Sequence, residues 1–193
     1  EERDAKGLYK LAREGVIKEF TGISDGLTAI WEQKGRITAF PYGASGVEVE
    51  IDPETGKIDV VKYTVVDDVG VVINPLLLDG QIHGGVAQGL GQILFEDVSY
   101  DPITGQMLTG SFMDYVMPRG VDLPLIKVKA NSVPTNTNPL GVKGAGEAGT
   151  IGAMPCVMNA AIDALSPLGI SRLDMPLTPN RVWQAIQSTV LGS

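Results

Sequence analysis

From residue 75 to residue 96 apolar positions recur every third or fourth place. At about 100° per residue, Leu78, Ile82, Val86, Leu90 and Ile93 share one face, which predicts a helix with that face turned to the core. Gly80, Gly84, Ala87 and Gly91 form a bare stripe roughly opposite. Interior glycines cost about 1 kcal/mol each relative to alanine, so the stripe implies a close approach by another backbone or by a ligand. Gln81, Gln88 and Gln92 line up beside it, within about 40° of one another. Their amides offer donors and acceptors, which suits the edge of a heterocycle or a solvated ridge beside a tight helix contact. His83, the single histidine, falls between the two faces and reads as a structural donor rather than a metal ligand.

Elsewhere the period is two. Residues 46–52 alternate, with Val47, Val49 and Ile51 facing one way, and 57–67 continue as a β-rich run after the turn Asp52-Pro-Glu-Thr-Gly56. Two such runs across a Pro/Gly turn predict a hairpin. The same turn chemistry returns at Asp101-Pro-Ile-Thr-Gly105, between 95–100 and 107–109, and 125–133 reads as a further strand. Helices are expected at 4–18, at 153–165 with Pro155 in the first turn, and at 179–191 behind a Thr178 cap. Strands and helices mix without a βαβ rhythm, so the fold class is α+β. Residues 1–42 read as an N-terminal helix and connecting segment continuing an upstream domain, and 43–193 as the C-terminal domain.

Composition narrows the partners. The 193 residues are 44% hydrophobic and 20% charged, with a formal charge of −8, enough for a real core. No basic stripe appears, which sets nucleic acid and anionic membranes aside. No apolar run approaches the roughly 20 residues of a membrane span. One cysteine, Cys156, excludes an internal disulfide and fits a reducing, cytoplasmic setting. The chain opens on Glu1 without an initiator methionine and is expected to belong to something longer.

The chemistry gathers in residues 131–149, a long stretch without a clear element, of the kind that is functional or disordered in compact domains. It ends in Gly141-Val-Lys-Gly-Ala-Gly-Glu-Ala-Gly-Thr-Ile-Gly152, five glycines in twelve positions around Glu147. Such a backbone can lie close against a ligand, and a carboxylate there is placed as a general base beside a flat cofactor; a glycine-rich turn with a solvated glutamate is the plainer alternative. Lys143 could offset that carboxylate or hold an anionic cofactor group. Residues 144–149 satisfy G-x-G-x-x-G, but no strand precedes them and Glu147 would put negative charge where phosphates need donors, so the dinucleotide reading is rejected. No cysteine pairs have metal-site spacing. Asp67-Asp68 could ligate a cation, though a solvated pair at a strand end is expected. Cys156 reads as a small apolar residue rather than an activated thiol.

Together these stretches resemble the molybdenum hydroxylases, the xanthine dehydrogenase and aldehyde oxidase family. The resemblance runs in one order over residues 44–186: Glu48 to Gly56 with Asn74-Pro75, Gly80-Gln-Ile-His-Gly-Gly-Val-Ala-Gln-Gly-Leu-Gly91, Leu108-Thr-Gly-Ser-Phe-Met-Asp-Tyr115, Pro139 to Gly152 and Asp174-Met-Pro-Leu-Thr-Pro179. In detail, including Asp163-Ala-Leu-Ser-Pro-Leu-Gly169, it is closest to the C-terminal part of the carbon monoxide dehydrogenase large-subunit branch. The resemblance implies a molybdenum centre on a pterin, in the cytosine dinucleotide form usual in bacterial members. It further implies Glu147 as the base that deprotonates the metal-bound hydroxyl, Gln88 as a hydrogen-bond partner of the pterin, and Lys143, Gly144, Ala145 and Gly146 against the cofactor, with no metal ligand from this chain. Partners implied are the remainder of the molybdenum subunit and subunits carrying FAD and [2Fe–2S] clusters, in an oligomer. Substrates from CO to aldehydes, purines and other N-heterocycles stay open, as does a natural split subunit against an excised fragment. The competing reading is a non-catalytic interaction or assembly module that holds no molybdenum. Family features missing from the chain include the upstream half of the subunit and its copper-binding cysteine loop, which Cys156 does not match.

Overall fold

The computed structural model describes residues 38–191. The expected helix at 4–18 and nearly all of the 1–42 segment lie outside the described residues.

The hairpin forms. Strand β1 (Tyr42–Ile51) pairs antiparallel with β2 (Ile58–Asp68), from Tyr42 opposite Asp68 to Ile51 opposite Ile58, with a register slip between Glu48 and Val49. The Asp52 carboxylate closes the turn by accepting from the Glu54 N–H (2.9 Å) and the Thr55 hydroxyl (2.7 Å), and Gly56 supplies the positive φ of 72°. The Asp101 turn repeats this chemistry, with Gly105 again at φ 72°. Its flanks, however, meet only at a single bridge, Tyr100 to Met107.

Helix α1 (Pro75–Leu94) starts where Asn74 accepts from the Leu77 N–H at 3.2 Å and Pro75 takes a position that needs no donor. Its apolar face is buried as the pattern requires: Leu78, Ile82, Val86, Leu90 and Ile93. The chain then returns to β3 (Ile126–Ala130), which lies parallel to β2 with Tyr63 opposite Ile126 and Asp67 opposite Ala130. The sheet order is β1-β2-β3. The loop before β3 is tied back to the residues just beyond α1, the Tyr115 hydroxyl donating to Glu96.

Helix α2 (Ala148–Leu165) begins five residues earlier than expected. Pro155 is therefore inside the helix rather than in its first turn, leaving the Ile151 carbonyl one turn back without its usual donor. Propensity argued against a helix through Gly149 and Gly152, but packing overrides it. A Cβ on Gly149 would lie 3.0 Å from the Val86 nitrogen, and one on Gly152 would lie 2.9 Å from the Ser45 hydroxyl. Both glycines let α2 wedge between α1 and β1. Helix α3 (Pro179–Leu191) closes the fold with Val182 and Ile186 buried, and Thr178 accepts from the Arg181 N–H at 3.4 Å. The result is the mixed α+β architecture expected.

One member of the bare stripe of α1 is closely approached, since a Cβ on Gly91 would lie 2.9 Å from Pro118 Cδ, and packing adds two positions outside the stripe. Close approach occurs at Gly85 and Gly89, where an added Cβ would sit 3.0 Å from the Thr150 nitrogen and 2.7 Å from the Ala153 Cβ. Gly80 and Gly84 have nothing within 4 Å.

By length and composition, residues 148–168 are apolar enough to cross a bilayer, which no run in the bare sequence suggested. One stripe of that stretch is nonetheless core: Gly149, Ala153, Val157, Ala161 and Leu165 are buried.

Candidate functional site

Glu147 caps the head of α2. Its backbone carbonyl accepts from the Ile151 N–H at 3.1 Å, and its carboxylate is exposed, with no hydrogen bond or ion pair among the described residues. The glycines before it are bare as well as flexible. A Cβ on Gly146 would meet nothing within 4 Å, and one on Gly144 would meet only Pro41, at 3.8 Å. Ala145 between them is half-buried and packs on the core, so the segment is anchored in its middle and open on either side.

Gln81, Gln88 and Gln92 are all exposed on α1. They stand beside the line where α1 crosses α2, because Gly85 rests on Gly149 and Thr150 while Gly89 rests on Ala153. The Thr150 hydroxyl fixes that crossing by donating to the Gly85 carbonyl at 2.9 Å. A cavity of about 280 Å³ separates the start of α1 from the loop, and Gln81 borders it together with Val142, Lys143 and Ala145. Gln81 is thus the glutamine that the fold brings next to the loop, while Gln88 lies two turns further along the helix. Its position in the same ridge was the only signal for it in the sequence. His83 is exposed, its Nδ1 2.7 Å from the Asp79 carbonyl, a contact within its own helix.

The strand-end acids are not solvated, contrary to expectation. Asp67 and Asp68 are 4% and 2% exposed. The Lys143 ammonium, with only 9% of its side chain exposed, lies 2.6 Å from Asp68 Oδ2 and 4.7 Å from the centre of the Tyr42 ring. Asp68 Oδ1 accepts from the Gly70 N–H (2.8 Å) and the Val133 N–H (3.0 Å). Burial pushes the Asp68 carboxyl up, but the ammonium and these N–H groups outweigh it and hold the group well below the usual carboxylate range. Of the two roles open to Lys143, the offset of Glu147 is not formed: its charge is matched by a buried partner on β2.

Asp67 has no such partner. Among the described residues, its Oδ2 and the Tyr63 hydroxyl are buried with no hydrogen-bond partner in bonding geometry. Burial pushes the Asp67 carboxyl above its ordinary range. The Asp67 side chain borders a second cavity, of about 320 Å³, between β1 and α2 with Tyr42, Ser45, Ala148 and Cys156. Cys156 is half-buried and its thiol is likewise pushed up by burial, as expected of a packing residue rather than a nucleophile. Among the described residues no three His, Cys, Asp or Glu side chains gather as a metal site would require.

The surface at the head of α2 therefore offers an open carboxylate, bare backbone on both sides of Ala145, and exposed amides on the neighbouring helix. That donor set fits a flat ligand with hydrogen-bonding edges. It supplies nothing to bind a bare metal ion.

Comparisons with known proteins agree in kind. Residues 10–124 match the family described as molybdopterin cofactor-binding domain; the match takes in Gln88 and ends before the 141–152 segment. The large subunit of nicotine 6-hydroxylase from Paenarthrobacter nicotinovorans is 42% identical over 151 residues, 78% of this chain and 18% of that protein. The carbon monoxide dehydrogenase large chain of Hydrogenophaga pseudoflava is 32% identical over 182 residues, 94% of this chain and 22% of that one. The crystal structure of quinoline 2-oxidoreductase from Pseudomonas putida 86 superposes with a TM-score of 0.70 at 40% identity, over 73% of this chain and 18% of that one. The chain spans about a fifth of the length of the curated relatives it matches.

Proposed function

The chain belongs to the molybdopterin cofactor-binding domain family, among molybdenum hydroxylase and carbon monoxide dehydrogenase subunits, and from that premise we propose that it forms the Glu147-bearing part of a catalytic molybdenum subunit. The observation that carries this reading is the open Glu147 carboxylate flanked by bare backbone at Gly144 and Gly146. The reaction is oxidative hydroxylation with water as the oxygen source. When bound, the molybdenum cofactor supplies the two-electron oxidation.

The residues of this chain hold and orient. Gly144, Ala145 and Gly146 let the backbone lie against the cofactor. Gln88, with Gln81 further up the same ridge, presents amide donors and acceptors to its heterocyclic edge. Glu147 takes up the proton of the water-derived oxygen, which raises that oxygen's nucleophilicity toward the substrate carbon. The cofactor would be the cytosine dinucleotide form, and partner subunits of an oligomer would carry the [2Fe–2S] clusters and FAD that accept its electrons. The remainder of the molybdenum subunit completes the pocket, so the chain alone does not turn over.

Two of the reported relatives are named for N-heterocycles, nicotine and quinoline, and they are 42% and 40% identical to this chain; the carbon monoxide dehydrogenase chain is 32% identical. That favours an N-heterocycle as the substrate over CO, an aldehyde or a purine.

In the complete enzyme, Glu147→Gln should lower kcat by about 10²- to 10⁴-fold, the usual worth of a positioned base, with molybdenum content unchanged. Native turnover in that variant would remove Glu147 from the chemistry. Absence of both molybdenum and cytidine nucleotide from the native complex would leave the non-catalytic module as the better reading.

A further inference from the structure

We propose that the buried Lys143–Asp68 pair is the positioning device for Glu147, tying the end of the 131–147 loop to the end of β2. The inference rests on the reading of Glu147 as the base. Asp68 gathers three points of the chain on one carboxylate: Gly70 just beyond the strand, Val133 at the loop's start, and Lys143 at its end.

Backbone bonds run alongside. The Asn131 N–H donates to the Asp67 carbonyl, the Lys143 N–H to the Val69 carbonyl, and the Val71 N–H to the Gly141 carbonyl, at 2.9, 2.9 and 3.0 Å. Asn138 braces the loop internally through both its amide atoms to Val142. After Lys143 come Gly144 and Gly146, whose backbones have no side chain to fix them. Lys143 is thus the last polar side-chain anchor before Glu147, followed only by the half-buried methyl of Ala145, and the Tyr42 ring holds its ammonium from the β1 side.

The geometry also separates the ionic tie from the rest. Both N–H groups use Oδ1, and only Lys143 uses Oδ2. Asp68→Asn with its amide oxygen at Oδ1 keeps both N–H bonds and turns a donor toward the ammonium. Lys143→Met leaves the Asp68 charge buried without its cation. Each single variant should lower thermal stability, since removing one member of a buried pair strands the other. The double variant Asp68→Asn/Lys143→Met leaves neither charge and should recover native stability.

The test uses these three variants in the complete enzyme, reading hydrogen exchange over 141–147, molybdenum content, KM and kcat. The expected double variant is as stable as the native enzyme and carries full molybdenum with native KM. Its 141–147 amides exchange faster and its kcat is lower by about 10- to 100-fold, the range for a reacting group displaced by about 1 Å. Native exchange and native kcat in the double variant would show the pair to be a stability element only, and would overturn the proposal while Glu147→Gln stays inactive. Faster exchange with native kcat would instead strike at the reading of Glu147 as the base, and the proposal would fall with it.

Discussion

Asp67 carries a buried carboxylate oxygen that has no hydrogen-bond partner among the described residues. Burial raises its pKa in the folded state above the ordinary 3.8. A carboxyl raised on folding contributes its stability when protonated, so the contribution is full below about pH 4 and is lost as pH rises through the folded-state pKa. Wherever the carboxyl is ionised, its burial opposes folding. Asp67→Asn should accordingly raise stability at pH 7 by on the order of 1 kcal/mol, with the gain shrinking as pH falls toward 4, in urea titrations run at both pH values. A gain independent of pH would mean that folding does not raise the Asp67 pKa. Nothing in the sequence distinguished Asp67 from Asp68. Both end the same strand, and what separates them is a lysine 75 positions beyond Asp68, a contact that only the tertiary fold creates. Glu147 stood out for a different reason, since the glycines that frame it are themselves sequence information.

At the level of elements, the glycines of α1 divide into packed and open ones, a division that helical periodicity does not draw. Gly85 and Gly89 fall at the edge of the apolar face, beside Leu78 and Ile82, where a missing side chain looks like part of the core. The structure shows that α2 sits on them. Of the conspicuous stripe, Gly91 packs against Pro118, while Gly80 and Gly84 have nothing within 4 Å among the described residues. Opposite responses to alanine follow. Gly89→Ala would force a methyl to within 2.7 Å of Ala153 and should destabilise the fold by about 1–3 kcal/mol, with Ala153→Gly restoring much of the loss. Gly84→Ala should stabilise α1 by up to about 1 kcal/mol. If a cofactor lies over that stripe in the assembled subunit, the same substitution should lower molybdenum occupancy. Thermal melts and metal analysis on the two variants read both effects, and a destabilising Gly84→Ala would contradict the open space seen there. The core face of α1, the hairpin and its turns were legible because local pattern dictates them. The true start of α2 was not, because its first turn is held by packing of Gly149 and Gly152 against other elements rather than by propensity.

For the molecule as a whole, the apolar groups left outside the core matter as much as those within it. Ile73, Leu76 and Leu77 are exposed at the head of α1, and Phe112, Met113 and Val121 in the segment between α1 and β3. Exposed apolar groups in such number usually lie at an interface. Relatives of this chain are about four times its length, and under the proposed reading the rest of the molybdenum subunit covers these groups. Ile73 and Leu77 also border the cavity shared by Gln81, Lys143 and Ala145, so the covering segment would wall the candidate site on that side. Covering the surface and completing the site are then one event. The chain produced alone should bind a hydrophobic dye and self-associate. Co-produced with the upstream part of its subunit, it should lose the dye signal and gain molybdenum together, as followed by fluorescence and metal analysis of the same fractions. Leu77→Ser, placed at the rim of that cavity, should weaken both in parallel. Loss of dye binding without any uptake of molybdenum would mean that the covered surface and the cofactor site are independent, and would favour an assembly module over a catalytic one.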